Sequence, residues 1–463
     1  MRKGFDYQGK RVVVIGMARS GIQAARLLLR EGAVPVLNDL KSREAFGDAL
    51  DVLEGTAVEW RLGESPLPLL DNADALIISP GVPIDSPAVL KAQERGLYVA
   101  GEMELAAQFA QGTMIGVTGT NGKTTTVTLL HTIFGQAGMP SWLSGNIGTP
   151  LSQTALQSHP GDMLVTEVSS FQLESIDTFH PRAAAVLNVT EDHLIRHYTM
   201  ECYTAMKRRI FENQEPGDLA VLNAADPICV KMAEGLAARV AWFSRLKEVD
   251  QGAFVRDGEL VVRLADREWT LCPTEEIGIP GPHNLENAMA AVILALDLGA
   301  PEEAVREALR TFKGVEHRIE FVRELDGVRY INDSKGTNPD STVKAVDTMR
   351  APTVLILGGY DKHVSFETLA RHIAESPQIA RLVILGATKD QLRRELAAAG
   401  TVWPEEAGTF DEAVQLARSR AQPGWNVLLS PACASFDMFT CFEERGERFK
   451  AIVNAWQPGE ADQ

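Results

Sequence analysis

Short apolar runs, each followed by a turn and then by apolar residues at helical spacing, recur along this chain. Arg11-Val12-Val13-Val14-Ile15-Gly16 is the first, followed by a helical stripe through Ile22, Ala25, Leu28 and Leu29 and a second run, Val34-Pro35-Val36-Leu37-Asn38-Asp39. That order is a βαβ unit. The run Ala75 to Gly81 and the short Tyr98-Val99-Ala100 continue the alternation, so a first domain is expected over 1–100. A second set opens with Met114 to Thr118 and a helix from Lys123 to about Ala137, then Met163 to Glu167 and Ala183 to Asn188. Runs without polar alternation read as strands buried on both faces of a mainly parallel sheet. Asp257-Gly258 between two apolar runs predicts an antiparallel add-on, and helices are expected over 284–298 and 301–312. A third set follows a hairpin around Asp326-Gly327, with buried strands at Val354 to Leu357, Leu382 to Leu385 and Val427 to Leu429. The expectation is an α/β chain of three domains, 1–100, 101–314 and 315–463: a Rossmann-like unit, a P-loop ATPase-like unit, and a Rossmann-like C-terminal unit.

The length of 463 residues agrees with that count, since domains usually hold about 100–200 residues. A formal net charge of −17 excludes general attraction to nucleic acid or anionic membrane, so any phosphate must be held locally. No apolar run reaches the ~20 residues of a membrane span, and the opening Met1 to Lys10 lacks an export signal's apolar stretch. A cytoplasmic protein without membrane insertion is expected. Cys202, Cys229, Cys272, Cys433 and Cys441 are unpaired in spacing, fitting reduced thiols in packing roles.

The sharpest chemical signal is Gly116-Val117-Thr118-Gly119-Thr120-Asn121-Gly122-Lys123-Thr124-Thr125, set between strand and helix. Glycines let backbone amides turn inward, a helix N-terminus adds positive potential, Lys123 can reach the outer phosphates and Thr124 can ligate magnesium. The spacing departs from the usual P-loop, because Val117 stands where its first glycine would. Gly16-Met17-Ala18-Arg19-Ser20-Gly21, with Asp39 ending the next strand, is a weak dinucleotide fingerprint that fits any diphosphate, or merely a tight packing turn. Glu167, and the cluster Glu191-Asp192-His193, follow consecutive strands beyond the phosphate loop and could hold a metal. Lys207, in Tyr203-Thr204-Ala205-Met206-Lys207-Arg208-Arg209, reads from composition as part of a solvated basic helix face.

In order along nearly the whole chain, these pieces resemble the Mur ligases, ATP-dependent amide-bond ligases of peptidoglycan synthesis. The resemblance rests on the phosphate loop, Ser169-Ser170-Phe171-Gln172-Leu173-Glu174, Asn188-Val189-Thr190-Glu191-Asp192-His193, Gly281-Pro282-His283-Asn284-Leu285-Glu286-Asn287 and His317-Arg318. It continues in Asn332-Asp333-Ser334-Lys335-Gly336-Thr337-Asn338, Gly358-Gly359-Tyr360-Asp361-Lys362 and Leu429-Ser430-Pro431-Ala432-Cys433-Ala434-Ser435-Phe436-Asp437. The combination is similar to the branch that joins D-glutamate to UDP-N-acetylmuramoyl-L-alanine; the Asp-Asn-Pro-Arg of the diaminopimelate-adding branch is absent.

The resemblance implies ATP at Gly119, Thr120, Asn121, Gly122, Lys123, Thr124 and Thr125, with Asn284 and Asn287 near adenine and Arg318, Asp333 and Lys335 closing over the nucleotide by domain movement. It implies two magnesium ions at Thr124, Glu167, His193 and a carbamylated Lys207, and catalysis by Lys123, Glu167, His193 and Lys207. The UDP-substrate would take Arg19, Ser20, Asp39, Leu40, Lys41, Ser79, Gly81 and Asn146. D-Glutamate would take His193, Thr337, Lys362, Ser435 and Phe442, in a chain expected to act as a monomer. An NAD-dependent dehydrogenase would leave the lysine-bearing loop unexplained, a nucleotide-regulated binding module would need no amino acid, and a folylpolyglutamate synthase would not need a UDP-binding first domain.

Overall fold

The computed structural model describes residues 4–362 and 364–459, so Met1 to Lys3 of the opening segment lie outside the described residues. The chain divides into two compact units, one running through residue 277 with 284–312, the other comprising 278–283 and 313 onward.

The first unit holds two sheets. Strands β1 (Arg11–Ile15), β2 (Val34–Asp39), β3 (Glu59–Leu62), β4 (Ala75–Ile78) and β5 (Tyr98–Gly101) pair in the order β3-β2-β1-β4-β5, all parallel. The order reverses beside β1, so the turns after β1 and β4 open at the switch point where α/β sheets bind ligands. Helix α1 (Arg19–Arg30) follows the first turn and buries Ile22, Ala25 and Leu28. Helix α2 (Pro87–Glu94) leads to β5.

Without an exposed linker, β5 runs into α3 (Glu102–Phe109), whose Glu102 to Ala106 are all buried. Two of these are carboxylates. Glu102 accepts from the backbone N–H of Ser152 at 2.7 Å and from its hydroxyl, near the start of α5 (Leu151–Gln157). Glu104 accepts from the amides of Asp177, Thr178 and Phe179 at 2.9, 2.8 and 3.0 Å. Hydrogen bonds to a carboxyl group contribute about 0.5–3 kcal/mol each, the upper end when it is ionised. One apolar core continues from Val12 and Leu27 through Met103 and Leu105 to Leu151, Leu164 and Val186. The first two sheets therefore form a single compact unit.

The second sheet is built from β6 (Thr113–Thr118), β7 (Ser141–Gly145), β8 (Met163–Glu167), β9 (Ala183–Val186), β10 (Leu219–Asn223), β11 (Arg239–Ser244), β12 (Gly252–Arg256), β13 (Glu259–Leu264) and β14 (Arg267–Pro273). Their order is β14-β13-β12-β11-β10-β9-β6-β8-β7. Only the β12–β13 and β13–β14 pairs are antiparallel, and the first of them is the hairpin expected from Asp257-Gly258. Because β6 lies between β8 and β9, the segments after those three strands share one sheet edge. They lead into α4 (Lys123–Gln136), α6 (Ser170–Leu173), α7 (Leu194–His197) and α8 (Met200–Arg208).

The second unit carries β15 (Glu320–Leu325), β16 (Val328–Asn332), β17 (Thr353–Gly358), β18 (Ile379–Leu385), β19 (Glu405–Glu406) and β20 (Asn426–Leu429), in the order β15-β16-β20-β17-β18-β19. Here β16, β20 and β17 are parallel neighbours, so the segments after them converge. Among the described residues no helix is long and apolar enough to cross a membrane.

Candidate active site

Between β6 and α4 the loop turns at Gly119 (φ 151°) and Gly122 (φ 88°). A Cβ on Gly122 would sit 2.1 Å from the Asn287 Oδ1, so close approach as well as backbone angle demands glycine. Lys123 folds back over the loop, its Nζ donating to the carbonyls of Gly119 and Thr120 at 2.8 Å each. The loop is laced to the segment after β9. Asn188 accepts from the Asn121 amide at 2.9 Å and donates to its carbonyl at 3.1 Å. The Thr120 hydroxyl donates to the Thr190 carbonyl at 3.1 Å and lies 3.2 Å from the Tyr203 hydroxyl. These bonds fix the path of a glycine-turned loop at a helix N-terminus, the setting that favours a phosphate chain.

Oxygen ligands gather beside the cradle. The Thr124 hydroxyl donates to Glu167 Oε2 at 2.8 Å, and the Asn146 amide donates to Oε1 of the same carboxylate at 2.9 Å. Glu167 is buried at the end of β8, as its place after an apolar run requires. His193 caps α7 in the left-handed region (φ 56°), its ring 4.9 Å from that of Phe171 and its Nε2 3.6 Å from the Asp192 carboxylate. Thr125 is buried in the first turn of α4. Asn284 and Asn287 are both buried in the helix Pro282–Asp297, and the Asn287 side-chain amide donates to Asn284 Oδ1 at 3.2 Å.

Lys207 corrects the reading from composition. Rather than joining a solvated face it is 2% exposed, with Nζ donating to the Gly119 carbonyl at 2.9 Å and lying 4.4 Å from the Tyr203 ring centroid. Tyr203 and Lys207 stand four residues apart on the buried face of α8, while the neighbouring Arg208 faces outward. Burial first, and then the charge of Lys123, hold the Lys207 ammonium well below its ordinary pKa, against Asp192, Cys229 and Glu167. An amine so placed is readily neutral and nucleophilic. Cys202 is likewise exposed rather than packed, whereas Cys229, Cys272 and Cys433 are buried and Cys441 is half-buried.

In the first sheet, Gly16 takes φ 92°, and a Cβ on Gly21 would lie 1.9 Å from the Gly16 carbonyl oxygen. Asp39 accepts from the amides of Met17 and Lys41, both at 2.9 Å, so its carboxylate organises the turn. Ser79 donates to the Gly16 carbonyl at 2.8 Å and ties the two switch-point turns together. Arg19 is exposed and donates to the Gly148 carbonyl at 3.1 Å, Ser20 is half-buried, and Leu40, Lys41 and Gly81 are exposed at the same edge.

In the second unit, Asp333 is fully buried, accepting from the Ser430 hydroxyl at 2.7 Å and lying 3.7 Å from the Arg318 guanidinium. Burial raises its pKa to about 6 against the pull of Arg318. Lys335 sets its ammonium 4.7 Å from the Phe442 ring centroid. Ser435 is buried after β20, while Thr337 after β16 and Lys362 after β17 are half-buried.

The characteristic residue patterns of three domains match this chain: the MurD-like N-terminal domain of Mur ligases over 10–101, the Mur ligase middle domain over 117–295, and the Mur ligase glutamate ligase domain over 317–433. The chain belongs to the Mur ligase family. A UDP-N-acetylmuramoylalanine–D-glutamate ligase of Pelotomaculum thermopropionicum is 46% identical over 98% of this chain and 99% of its own length. That of Clostridioides difficile is 42% identical over 97% and 99%. Among solved structures, Thermotoga maritima UDP-N-acetylmuramate–alanine ligase superposes with TM-score 0.60 at 17% identity, covering 96% of this chain and 99% of that one. Thermotoga maritima MurF ligase in complex with ADP gives 0.60 at 17%, covering 91% and 95%. Those two likenesses show the shared fold.

This Mur ligase brings Lys123, Thr124, Glu167, Asn146 and Lys207 onto one sheet edge. Sequence reasoning passes over the residues that hold the edge in place. Asn188 laces the loops and Tyr203 braces Thr120. Within the second unit, sequence reasoning likewise passes over Arg445, which donates to the carbonyls of Ser334, Cys433 and Ala434 at 2.8, 3.1 and 3.2 Å. Asn188 lies inside a motif read from sequence and was accessible in principle. Arg445 sits among exposed charged helix residues, and no local pattern distinguishes it from them.

Proposed function

We infer that this Mur ligase joins D-glutamate to UDP-N-acetylmuramoyl-L-alanine with cleavage of ATP to ADP and phosphate, a step of peptidoglycan synthesis. The observation that carries the reading is the phosphate loop with Lys123, Thr124 and Glu167 held together, in a chain 46% identical end to end to a ligase of that name.

A carboxylate is a poor acylating agent, because its anion repels an amine and its oxygen leaves badly. The substrate carboxylate oxygen attacks the γ-phosphorus of ATP, the bond to the β-phosphate oxygen breaks, and ADP departs. The D-glutamate nitrogen then adds to the acyl phosphate carbonyl and loses a proton; collapse of the tetrahedral intermediate expels phosphate and leaves the amide. Lys123, now bonded to two loop carbonyls, exchanges them for the outer phosphate oxygens. The loop of Gly119, Thr120, Asn121, Gly122, Lys123, Thr124 and Thr125 supports the phosphate chain, and Asn284 and Asn287 border the adenine.

Thr124, Glu167, His193 and Lys207 fit magnesium, since a hydroxyl and a carboxylate already meet beside the phosphate cradle; the bound ions, two in our reading, supply charge neutralisation on the phosphates. The buried, readily neutral Lys207 amine fits addition to carbon dioxide, which forms an N–C bond, releases a proton and turns the neutral amine into an anion suited to a cation site.

Arg19, Ser20, Asp39, Leu40, Lys41, Ser79 and Gly81 take the UDP group in the first domain (1–100), with Asn146 toward the sugar. The middle domain (101–314) takes ATP. In the C-terminal domain (315–463) Thr337, Lys362, Ser435 and Phe442, together with His193, take D-glutamate, while Arg318, Asp333 and Lys335 serve the nucleotide. The protein acts as a cytoplasmic monomer. The test is phosphate release by purified protein with ATP, magnesium and UDP-N-acetylmuramoyl-L-alanine, adding amino acids singly. Release should require D-glutamate, and equal release with L-glutamate or with none would reject the assignment.

A further inference from the structure

The turn after β4, residues 79–86, belongs to the first sheet, yet the segment after β9 of the second sheet grips it. Arg196 donates from Nη2 to the Val82 carbonyl at 2.9 Å. The same guanidinium clamps the Glu174 carboxylate, through Nε at 3.1 and 3.2 Å and Nη2 at 2.5 Å. Its carbon lies 4.9 Å from the centroid of the Phe171 ring, which also packs against the rings of His193 and His197, centroid to centroid 4.9 and 5.5 Å. Two residues on, the Tyr198 hydroxyl donates to Asp85 Oδ2 at 2.5 Å. Tyr198 is 70% exposed, so the hydrogen bond rather than burial holds it over the turn.

Both ends of α7 are strained. His193 (φ 56°) and Tyr198 (φ 64°) occupy the left-handed region that residues other than glycine rarely adopt. Such strain persists where surroundings over-determine it, and it concentrates in segments that work. The gripped turn is itself bonded to the first phosphate turn through the Ser79 hydroxyl and the Gly16 carbonyl. A continuous chain of contacts therefore runs from Gly16 through Ser79, Val82, Arg196 and Phe171 to His193.

We propose that Arg196 and Tyr198 form a clasp that couples occupancy of the Gly16 and Ser79 turns by the nucleotide-linked substrate to the placement of His193. The proposal rests on the reading of those turns as the UDP site. Arg196 is a positioning residue, acting through Val82 on one side and Phe171 on the other. The guanidinium geometry is essential, because only a planar fork satisfies the carboxylate and a carbonyl at once while stacking on a ring.

The test is hydrogen exchange of the full-length protein with and without UDP-N-acetylmuramoyl-L-alanine, paired with steady-state kinetics. In the wild type, substrate protects both 79–86 and 187–198. Arg196→Ala retains protection at 79–86 but loses its transfer to 187–198. Its KM for the UDP-substrate rises and its kcat falls, each by about tenfold, with the KM for ATP within about twofold. Arg196→Lys does not restore either readout, and Tyr198→Phe shows the same pattern more weakly. A variant that only melts earlier, with kinetics and transfer intact, overturns the clasp. Should Arg196→Ala fail to fold, Tyr198→Phe decides, since its ring is exposed; unchanged transfer and kinetics there also overturn it. Absence of protection at 79–86 in the wild type refutes the UDP-site reading, and the clasp with it. Protection at 79–86 without any at 187–198 refutes the clasp alone.

Discussion

Replacing Gly122 with alanine tests the phosphate cradle directly. The residue holds φ 88°, and an added Cβ would lie 2.1 Å from Asn287 Oδ1 and 2.9 Å from its Cγ. A left-handed alanine costs about 1–2 kcal/mol. Relief of the clash requires Asn287 to swing away from Asn284, breaking their 3.2 Å bond, a further net loss of about 0.5–1.5 kcal/mol. The free loop can relax, whereas phosphate binding demands the original path, so the sum of about 1.5–3.5 kcal/mol falls on ATP affinity. That corresponds to a rise in Kd of roughly 10- to 300-fold. Gly135 is the internal control: it lies in α4 with nothing within 4 Å of an added Cβ, and alanine there should stabilise the helix by about 0.5–1 kcal/mol and leave ATP binding alone. Isothermal titration with a non-hydrolysable ATP analogue and thermal unfolding of both variants give the comparison. A Gly122→Ala protein whose Kd stays within twofold of wild type would refute the claim that this loop, in this conformation, holds the phosphates.

Asp333→Asn should flatten the pH dependence of stability relative to wild type. Burial lifts the Asp333 pKa to about 6, above its unfolded value, so its favourable contribution is complete below about pH 4 and is lost as pH rises through 6. In urea unfolding, wild type should lose stability between pH 4 and 7 relative to the asparagine variant, by about 2–3 kcal/mol, and parallel profiles would reject the assignment. Lys207→Arg should abolish turnover, because a guanidinium cannot add carbon dioxide; wild-type protein given ¹³C-bicarbonate should show a carbamate carbon signal that the variant lacks. An arginine variant retaining more than about a tenth of wild-type kcat would exclude the carbamate role, since loss of a cation-site ligand costs about 10- to 100-fold or more.

Local rules determined much of this protein. Apolar runs without alternation mark β1, β4, β6, β8, β17, β18 and β20, because strands covered on both faces have no polar side to show. Asp-Gly pairs mark both hairpins, and glycine followed by lysine and threonine between strand and helix marks the phosphate loop, since each depends only on backbone angles over a few residues. Edge strands such as β3 and β7, half-buried and mixed in composition, lack that signal. Even so, the sequence reading passes over β10, although Leu219 to Leu222 obeys the same apolar rule and is wholly buried.

What only the tertiary structure decided is which separate segments meet. The placement of β6 between β8 and β9 brings Thr124 to Glu167 and Asn121 to Asn188, and it turns Lys207 from an apparently solvated cation into a buried amine against Gly119. Helical spacing shows which residues share a face with Lys207, but whether that face meets water or another segment depends on strand order many residues away. The same holds for Arg196, whose partners Glu174 and Val82 lie 22 and 114 residues off. Burial and charge pairing at those two positions are consequences of nonlocal packing, and they carry the proposed amine chemistry and the proposed coupling of this ligase.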